Sequence, residues 1–367
     1  MKPNIHATGH FATIVLVALS ASGCGVVHEM RPQAEPTCGP DGHGTLVGWA
    51  VPDRQADRSE LASWCLAVGP PMFEAEPGQV DIARGGDRRI DVVSWNIYGR
   101  AGDVPQFLRE TVGFDCDRQT GARHFVLLVQ EGVRRSRGVP GGVAGTEVAI
   151  ALDPASQVRP LDIIESAQAC GLAYFYVPSM GNGDADHATG REDRGNAILS
   201  TMPLSDPLAI ELPHEVQRRV AVTATVAPPA GGSIRAVSLH LDTFPGIARA
   251  LTTGGASRER QTLGLLQAVG LGGPVTDLDL EGVTIVAGGD LNTWSEGQES
   301  IEHLLDAFPD SPAPDGKPTR SGFPTDHIFV RTGADSPLLA LADSYERIDE
   351  RYGSDHHPRV LSLTDAR

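Results

Sequence analysis

Residues 283–287 form a short apolar run, rich in β-branched side chains, that is followed directly by Gly-Gly-Asp-Leu-Asn-Thr. Such a run predicts a buried β-strand. A buried strand that ends in two glycines and then offers a carboxylate, an amide and a hydroxyl places polar groups at the edge of a sheet. Asp290 and Asn292 are therefore either ordinary turn residues or parts of a binding site, and this stretch alone fits both interpretations.

The same pattern recurs at five further places, where a predicted strand begins or ends with a polar side chain. These side chains are Asn96, Glu131, His240, Asp326 and the neighbours Asp355 and His356. A glutamate that closes a buried strand is costly unless a cation pairs with it. Six such positions in one sheet system are hard to explain as turns. Together they offer oxygen ligands for a hard cation and imidazoles that exchange protons near neutral pH.

Length and composition limit the classes of protein to consider. The chain has 367 residues, enough for one large domain or two modest ones, and its hydrophobic content of 40% suits a packed globular protein. The net charge of −17 excludes a uniformly basic nucleic-acid-binding surface. An enzyme that reaches DNA through a bound metal ion is still compatible with that charge.

The N-terminus has the features of a targeting segment. Lys2 is followed by an apolar run at 11–19 that is short for a membrane span. Ala21-Ser-Gly-Cys24 resembles a bacterial lipobox, with alanine where leucine is usual. We predict that residues 1–24 form a lipoprotein segment and that Cys24 anchors the protein to a membrane. Plain secretion and an uncleaved anchor are the alternatives, and all three place the protein outside the cytoplasm.

The remaining cysteines predict two disulfides. Without Cys24 there are four, an even number suited to an oxidising compartment. Three pairings are possible, and we favour Cys38–Cys65 and Cys116–Cys170 because each pair falls within one segment. We therefore divide the chain into an N-terminal extension at 25–87, with one disulfide, and a catalytic domain at 88–367.

Strand and helix patterns alternate through the second segment. Strands are predicted at 89–97, 125–131, 172–177, 194–200, 217–227, 233–241, 283–287, 323–330 and 338–345, with another at the C-terminus. Helices are predicted at 103–112, 160–170, 257–269 and 296–307. The polar strand ends lie on this framework.

A series of short motifs resembles that of the endonuclease/exonuclease/phosphatase superfamily. The motifs are Ser94-Trp-Asn-Ile, Gln130-Glu, Arg194-Gly-Asn-Ala-Ile-Leu-Ser, Ser238-Leu-His-Leu, Gly289-Asp-Leu-Asn, Asp326-His-Ile-Phe and Ser354-Asp-His-His. The superfamily includes DNase I, apurinic endonucleases, bacterial sphingomyelinases and inositol-phosphate phosphatases. The resemblance covers about residues 88–367. It implies an α/β fold, a four-layer α/β/β/α sandwich in which two packed mixed sheets are flanked by helices.

The resemblance also implies phosphoester hydrolysis with Mg²⁺, for which Mn²⁺ or Ca²⁺ are alternatives. Glu131 matches the principal metal carboxylate, and Asn96 and Asp355 match residues beside that metal. Asp290 and Asn292 match the pair that orients the attacking water and the phosphate.

The same comparison assigns the histidines. His356 matches the catalytic histidine, Asp326 the acid that holds it, and His240 a second histidine of the DNase and sphingomyelinase branches. Whether His356 or Asp290 takes the proton of the attacking water stays open at this point.

Arg194 and Asn196, at the start of another strand, are interpreted as substrate-binding residues. A structural ion pair is the alternative for Arg194. Tyr98 departs from the apurinic endonucleases, which carry an acid at that position, and His357 is expected to be a structural neighbour.

We predict an extracytoplasmic Mg²⁺-dependent phosphoesterase acting on a lipid headgroup or small phosphoester. A secreted DNase I-like nuclease is the first alternative, and nucleic acid enters only as its substrate. The chain shows no basic stripe with interleaved aromatics, and aromatic residues are only 5% of it, which disfavours the nuclease. An anchored, non-catalytic binding protein on the same fold is the second alternative. The sequence makes no prediction of oligomeric state.

Overall fold

The structure is a computed structural model of the whole chain, and it describes most residues after 46. The described residues are 30–33, 47–65, 67–83, 89–140, 161–181, 191–214, 217–229, 231–243, 255–272, 282–313 and 315–365. The predicted lipoprotein segment, including Cys24, lies outside them, as does Cys38.

The first sheet has seven strands. Numbered in chain order and given in spatial order, they are β1 (Met30–Gln33), β2 (Gly48–Pro52), β11 (Leu204–Glu211), β12 (Val220–Val226), β13 (Ser233–His240), β14 (Val283–Asp290) and β15 (Asp326–Arg331). β13 and β14 are parallel, and β15 runs antiparallel to β14. The C-terminal ends of β13 and β14 therefore meet the start of β15 at one edge of the sheet.

The second sheet also has seven strands. In spatial order they are β16 (Leu338–Arg347), β17 (Arg359–Asp365), β5 (Ile90–Gly99), β8 (His124–Ser136), β10 (Arg191–Ser200), β9 (Ala173–Gly181) and β3 (Met72–Glu74). A small third sheet joins β4 (Asp81–Ile82), β7 (Thr120–Gly121) and β6 (Phe114–Asp115).

The helices are short. They are α1 (Gln55–Trp64), α2 (Val104–Phe107) with a π-helical turn at Leu108–Val112, α3 (Ile163–Ala169), α4 (Ala256–Ala268) and α5 (Glu299–Ala307). In the described part of the chain, none of them has the length and apolar character needed to cross a bilayer.

Three buried clusters show the layers of the fold. Between the sheets, side chains such as Val92 and Leu128 pack with Val222 and Val286 of the opposite sheet. On the outer face of the second sheet, strand residues pack against α2 and α3. On the outer face of the first sheet, they pack against α4 and α5. This order of helix, sheet, sheet and helix confirms the predicted α/β/β/α sandwich.

Most predicted strands are present, and the differences from prediction have local causes. Strand β11 was not predicted, because Ser205, Asp206 and Pro207 interrupt its apolar pattern. The strand predicted at 323–330 begins only at Asp326, since Arg320 and Phe323 first close a tight turn. The predicted helix at 103–112 divides into a helical turn and a π-helical turn, and the helix predicted at 296–307 begins at Glu299.

The described part of the N-terminal extension packs into the same sheets. β1 and β2 extend the first sheet beyond β11, and β3 pairs with β9 at the edge of the second. Buried contacts reinforce this, because Arg134 donates to the Pro70 carbonyl and Asp193 accepts from the Gly69 amide at 2.8 Å. The division at residue 88 stays a prediction.

The predicted Cys116–Cys170 disulfide is present. It connects the end of the short strand β6 to the C-terminal end of α3, both on the outer face of the second sheet. Cys65 is also disulfide-bonded, but its predicted partner lies outside the described residues.

Gly288 allows the two sheets to approach closely beside the polar edge. A Cβ atom at this position would lie 2.9 Å from both the Cδ1 of Leu128 and the Cβ of Ser94 in the opposite sheet. We expect Gly288→Ala to lower the free energy of unfolding by about 1–3 kcal/mol, because an overpacked core must shift. Urea unfolding measures this, and Gly297→Ala is the control because no atom lies within 4 Å of its Cβ. Equal stabilities of the two variants would contradict this account.

Candidate active site

Three predicted residues of the first sheet lie side by side. The strand register pairs His240 of β13 with Asp290 of β14, and Asp290 with Asp326 of β15. All three residues are at most 3% exposed. The topology thus turns three positions far apart in sequence into one row at the edge of the sheet.

The second sheet contributes Asn96 and Glu131 from the neighbouring strands β5 and β8. The pairing of β5 with β8 is interrupted just after Asn96, and Glu131 has a φ of 56°. The left-handed region costs a non-glycine residue about 1–3 kcal/mol, and such conformations cluster at functional sites. The irregularity turns the Glu131 carboxylate to the rim shared by the two sheets, where it is half-buried.

His356 and Asp326 form a buried acid–base pair. The imidazole Nδ1 lies 2.8 Å from Asp326 Oδ2. The hydroxyl of Thr325 donates to the same oxygen at 2.8 Å, and the Asp326 amide donates to Thr319 Oγ1. The pair is therefore held from both sides, and the Nε2 of His356 is left facing Asp290.

Asp290 connects the two sheets. Its Oδ2 accepts a hydrogen bond from Asn96 Nδ2 at 3.0 Å and lies 3.4 Å from His240 Nε2 and 3.6 Å from His356 Nε2. Its Oδ1 accepts from the Asn292 amide at 2.9 Å. One carboxylate thus faces two imidazoles and an amide in a site with little access to water.

Burial and charge shift the pKa values of this group apart. Burial, together with the charge of Asp326, raises the pKa of Asp290 to about 6. Burial alone would lower the pKa of His356, but the carboxylates of Asp326 and Asp290 raise it to about 9. Burial opposes ionisation of Asp326 as well, yet the His356 charge and hydrogen bonds hold its pKa below the usual range. At neutral pH the site therefore holds an imidazolium between two carboxylates.

The raised pKa of His356 predicts a loss of stability with increasing pH in metal-free protein. Because the folded-state pKa lies above the unfolded one, this stabilisation is complete below about pH 6.5 and is lost as the pH rises through about 9. The difference corresponds to about 3 kcal/mol as an upper limit. We expect urea unfolding in EDTA to show this decrease, and His356→Gln to remove it.

His357→Gln is the matched control for that measurement. The imidazole Nδ1 of His357 donates to the Ile348 carbonyl at 3.0 Å, and burial lowers the pKa of His357. The variant should keep the wild-type pH dependence. An unchanged pH dependence in His356→Gln would contradict the assignment of the imidazolium.

Two predicted metal carboxylates are each paired with an arginine. Glu131 lies 3.4 Å from Arg194 Nη1, and Asp355 lies 2.9 Å from Arg320 Nη2. The ion pair of Arg194 corresponds to the structural alternative from the sequence, although the arginine stays at the rim of the site. Each of the two carboxylates thus already stabilises a positive charge, as it would when a metal ion is bound.

The donor set suits a hard cation. Asp290, Asp326 and His356 offer ligand atoms within 4.8 Å of one another. Among the described residues, the buried Oδ1 atoms of Asp326 and Asp355 have no hydrogen-bond partner. Carboxylate oxygens without donors are the ligands that Mg²⁺ or Ca²⁺ takes. The protonated His356 occupies part of the tightest cluster, so Glu131 and Asp355 are better placed than its imidazole to hold such an ion.

Three other predicted residues have structural contacts in addition to their position near the site. Asn96 Oδ1 accepts from the Tyr98 amide, so the amide nitrogen of Asn96 is the atom that faces Asp290 and Glu131. Asn196 donates to the Val220 carbonyl at 2.7 Å and joins the two sheets. Asn292, with a φ of 51°, donates to the Leu241 carbonyl. Their predicted roles stay predictions.

Sequence reasoning missed two arginines at the site, Arg219 and Arg320. Arg219 precedes β12 and lies 3.2 Å from His240 Nδ1. Arg320 lies in the loop before Asp326 and is not part of a recognisable sequence motif. The alternation of residues 217–227 carried a signal for Arg219, because consecutive residues of a strand point to opposite faces. Of the adjacent Arg218 and Arg219, one was therefore expected on the same face as the polar side chains of the site.

A sequence profile described as the Endonuclease/Exonuclease/phosphatase family matches residues 93–356. That span contains every site residue named above. The chain belongs to the endonuclease/exonuclease/phosphatase family. The members of this family are hydrolytic phosphoesterases, generally dependent on a divalent metal.

Solved structures similar to this family member include an endonuclease/exonuclease/phosphatase from Beutenbergia cavernae, at 20% identity and a TM-score of 0.49, covering 76% of this chain and 72% of that one. The human nocturnin catalytic domain with bound sulfate is 18% identical, with a TM-score of 0.46 and coverage of 78% and 96%. Sphingomyelinase C from Streptomyces griseocarneus is 14% identical, with a TM-score of 0.42 and coverage of 76% and 99%. A search of curated proteins gave no match.

Proposed function

We propose that this family member is an extracytoplasmic phosphoesterase that hydrolyses a lipid headgroup or another small phosphoester with Mg²⁺. The observation that carries the proposal is the position of Asp290. Its carboxylate lies between the imidazolium of His356 and the imidazole of His240, at the rim where both sheets end.

The raised pKa values of Asp290 and His356 support one division of the proton transfers. Asp290 is ionised above about pH 6, so it can accept the proton of an attacking water at neutral pH. His356 already carries its proton there and cannot act as the base, but it can donate to a phosphoryl oxygen. The water oxygen bonds to phosphorus and its proton passes to Asp290. The bond from phosphorus to the leaving oxygen breaks, and its electron pair stays on that oxygen, which takes a proton from solvent. Asp326 stabilises the imidazolium through this step.

Glu131 and Asp355 would hold the divalent cation, with Asn96 beside them. When bound, the cation neutralises negative charge on the phosphoryl oxygens and the leaving oxygen. The arginines that now pair with these carboxylates are then free to contact the substrate phosphate. Mn²⁺ and Ca²⁺ are the alternatives to Mg²⁺.

The charge distribution supports a compact anionic substrate. Arg194, Arg219 and Arg320 bring positive charge to the site of a chain with a net charge of −17. A long nucleic acid would meet repulsion beyond that local patch. The Cys116–Cys170 disulfide and the lipobox-like N-terminus support a location outside the cytoplasm, anchored to the membrane or secreted.

The test compares substrates under one set of conditions. Purified protein is given sphingomyelin and phosphatidylcholine vesicles, an inositol phosphate, bis(4-nitrophenyl) phosphate and supercoiled plasmid, with Mg²⁺, Mn²⁺, Ca²⁺ or EDTA. We expect release of a phosphorylated headgroup or of phosphate with Mg²⁺, and none with EDTA. Plasmid nicking lost in Asp290→Asn would overturn the substrate class in favour of a nuclease. If the folded protein cleaved none of these substrates, the proposal that it is a phosphoesterase would be overturned.

Glu131→Gln is expected to raise the Mg²⁺ concentration for half-maximal activity by at least about tenfold. Residues that only orient metal ligands already change affinity by about 10–100-fold, and a ligand should do no less. A Mg²⁺ titration of activity measures the shift. Glu74→Gln, at a carboxylate on the edge strand β3, should leave it unchanged. Equal Mg²⁺ dependence in Glu131→Gln and wild type would remove Glu131 from the ligand set.

A further inference from the structure

Arg219 is a buried cation that takes no part in the proton transfers proposed above. It is 5% exposed and lies directly before β12. Its Nη1 lies 3.2 Å from His240 Nδ1, and its Nε lies 3.7 Å from Asp242 Oδ1. Its neighbour Arg218 faces away from the site, because it donates to Glu211 and to the Pro178 carbonyl. The two arginines therefore belong to different environments.

The chemistry of the guanidinium decides which His240 nitrogen carries a proton. An arginine side chain has donors only and stays protonated in proteins. A hydrogen bond between Arg219 Nη1 and His240 Nδ1 thus requires that Nδ1 accept. A histidine that accepts at Nδ1 is neutral and carries its single proton on Nε2.

The Nε2 atom of His240 points toward the reacting groups. It lies 3.4 Å from Asp290 Oδ2 without a hydrogen bond to it, and it has no hydrogen-bond partner among the described residues. His240 also lines a pocket together with Glu131, Arg194, Asn196 and Arg219. A phosphoryl group beside Asp290 would therefore meet an N–H donor at this position.

We propose that Arg219 is a positioning residue that holds His240 as the neutral Nε2–H tautomer, so that His240 donates a hydrogen bond to the phosphoryl group and does not act as a base. The inference rests on the proposed function for the identity of the ligand, and on the geometry alone for the tautomer. It separates the two histidines of the site by role. His356 is oriented by a carboxylate and is charged, whereas His240 is oriented by a guanidinium and is neutral.

The surroundings of Arg219 fix its orientation. Asp242, just after β13, is fully buried and accepts hydrogen bonds from Ser257 Oγ at 2.6 Å and the Gln217 amide at 3.2 Å. Burial and then the charge of Arg219 lower the pKa of His240 well below its usual range. The loop after β13 thus holds the arginine, and the arginine holds the imidazole.

Nuclear magnetic resonance of histidine labelled with ¹⁵N in the side chain tests the tautomer directly in metal-free protein. His240→Gln identifies the His240 signals. We expect a protonated Nε2 and an unprotonated Nδ1 in the wild type. A protonated Nδ1, or a rapidly exchanging mixture of both tautomers, would overturn the proposal without any assay of hydrolysis.

Variants of the arginine test the consequence. Arg219→Met should allow both tautomers of His240 and lower kcat by about 10- to 100-fold, with a smaller change in KM, because a positioned donor to developing charge is lost. Arg219→Lys keeps a cation that can only donate, and it should restore part of the preference for the Nε2–H tautomer and part of kcat. The double variant Arg218→Met/Glu211→Gln removes a buried guanidinium with its partner, and it should leave the tautomer and kcat unchanged.

The outcomes separate this inference from the proposed function. A pure Nε2–H tautomer in Arg219→Met would show that the guanidinium is not what fixes it, whatever the activity. Normal kcat in a folded Arg219→Met protein with mixed tautomers would show that the tautomer has no part in the reaction. If the wild-type protein cleaves no phosphoester but His240 is the Nε2–H tautomer, the phosphoryl group is not its ligand. The role of Arg219 in fixing the tautomer would then still hold.

Discussion

Replacement of Asp290 by asparagine is expected to lower kcat by about 10³-fold or more. The variant loses the proton acceptor for the attacking water. It also turns one of the two carboxylate oxygens, which accept from Asn96 Nδ2 and from the Asn292 amide, into an amide donor. Initial rates with bis(4-nitrophenyl) phosphate at saturating Mg²⁺ measure the effect. Activity within tenfold of the wild type would show that another group accepts the proton.

The same substitution should not destabilise the metal-free protein. Burial and the neighbouring Asp326 raise the pKa of Asp290 to about 6, so ionised Asp290 opposes folding at neutral pH. Asparagine removes that charge, and the free energy of unfolding is expected to rise by up to about 3 kcal/mol. Asp117→Asn, at an exposed turn, is the control that should change neither quantity. A large loss of stability in Asp290→Asn would instead indicate a structural carboxylate.

Replacement of His356 by glutamine is expected to lower kcat by about 10³-fold, and Asp326→Asn by a similar factor. The imidazolium supplies charge and a hydrogen bond to the phosphoryl group, and the carboxylate 2.8 Å from Nδ1 keeps it protonated and oriented. Because the two side chains act as a unit, the double variant should be about as slow as either single variant. Single-turnover rates of the four proteins measure this non-additivity.

His357→Gln again provides the adjacent control, since the imidazole of His357 donates to the Ile348 carbonyl and not to a residue of the site. It should retain kcat within about twofold to threefold of the wild type. If the losses in His356→Gln and Asp326→Asn multiplied in the double variant, the two residues would act independently. The acid–base pair would then not be the functional unit.

The fold was predictable because the strands of both sheets carry long buried runs. Runs such as residues 125–131 bury nearly every side chain, so they stand out from loops at the level of sequence. β11 did not stand out, since its pairing with β12 shifts between Ser205 and Leu208 and the residues from Ser205 to Leu208 are exposed or half-buried. The pairing of β2 and β3 with the edges of two sheets depends on contacts over long sequence separations, which no local pattern carries.

The site was predictable as a set of strand ends, and less so as a set of contacts. Asn96 appeared as a metal neighbour, but the backbone turn at Tyr98, with a φ of 51°, offers an amide that takes up its oxygen. For Arg194 an ion pair was one of two interpretations, without a named partner, and Arg320 was not predicted at all. The distance from Glu131 to Arg194 depends on the pairing of β8 with β10, and that from Asp355 to Arg320 on the approach of two loops, so neither partner is visible in a local pattern. The type of residue at a strand end is visible in the local sequence. The residue that pairs with a charged side chain depends on the three-dimensional fold.

The sequence segment that identifies the family is smaller than the unit that folds. The match ends at residue 356, yet β17 begins at Arg359 and lies between β5 and β16 in the second sheet. It begins at residue 93, after β2 and β3, which pair with β11 in the first sheet and with β9 in the second. An expressed fragment trimmed to residues 93–356 would expose unpaired strands on both sides of the sandwich, and such edges recruit other chains. The residues matched by the family profile and the residues that form paired strands thus have different bounds. Protein expressed for experiments should include all of the paired strands.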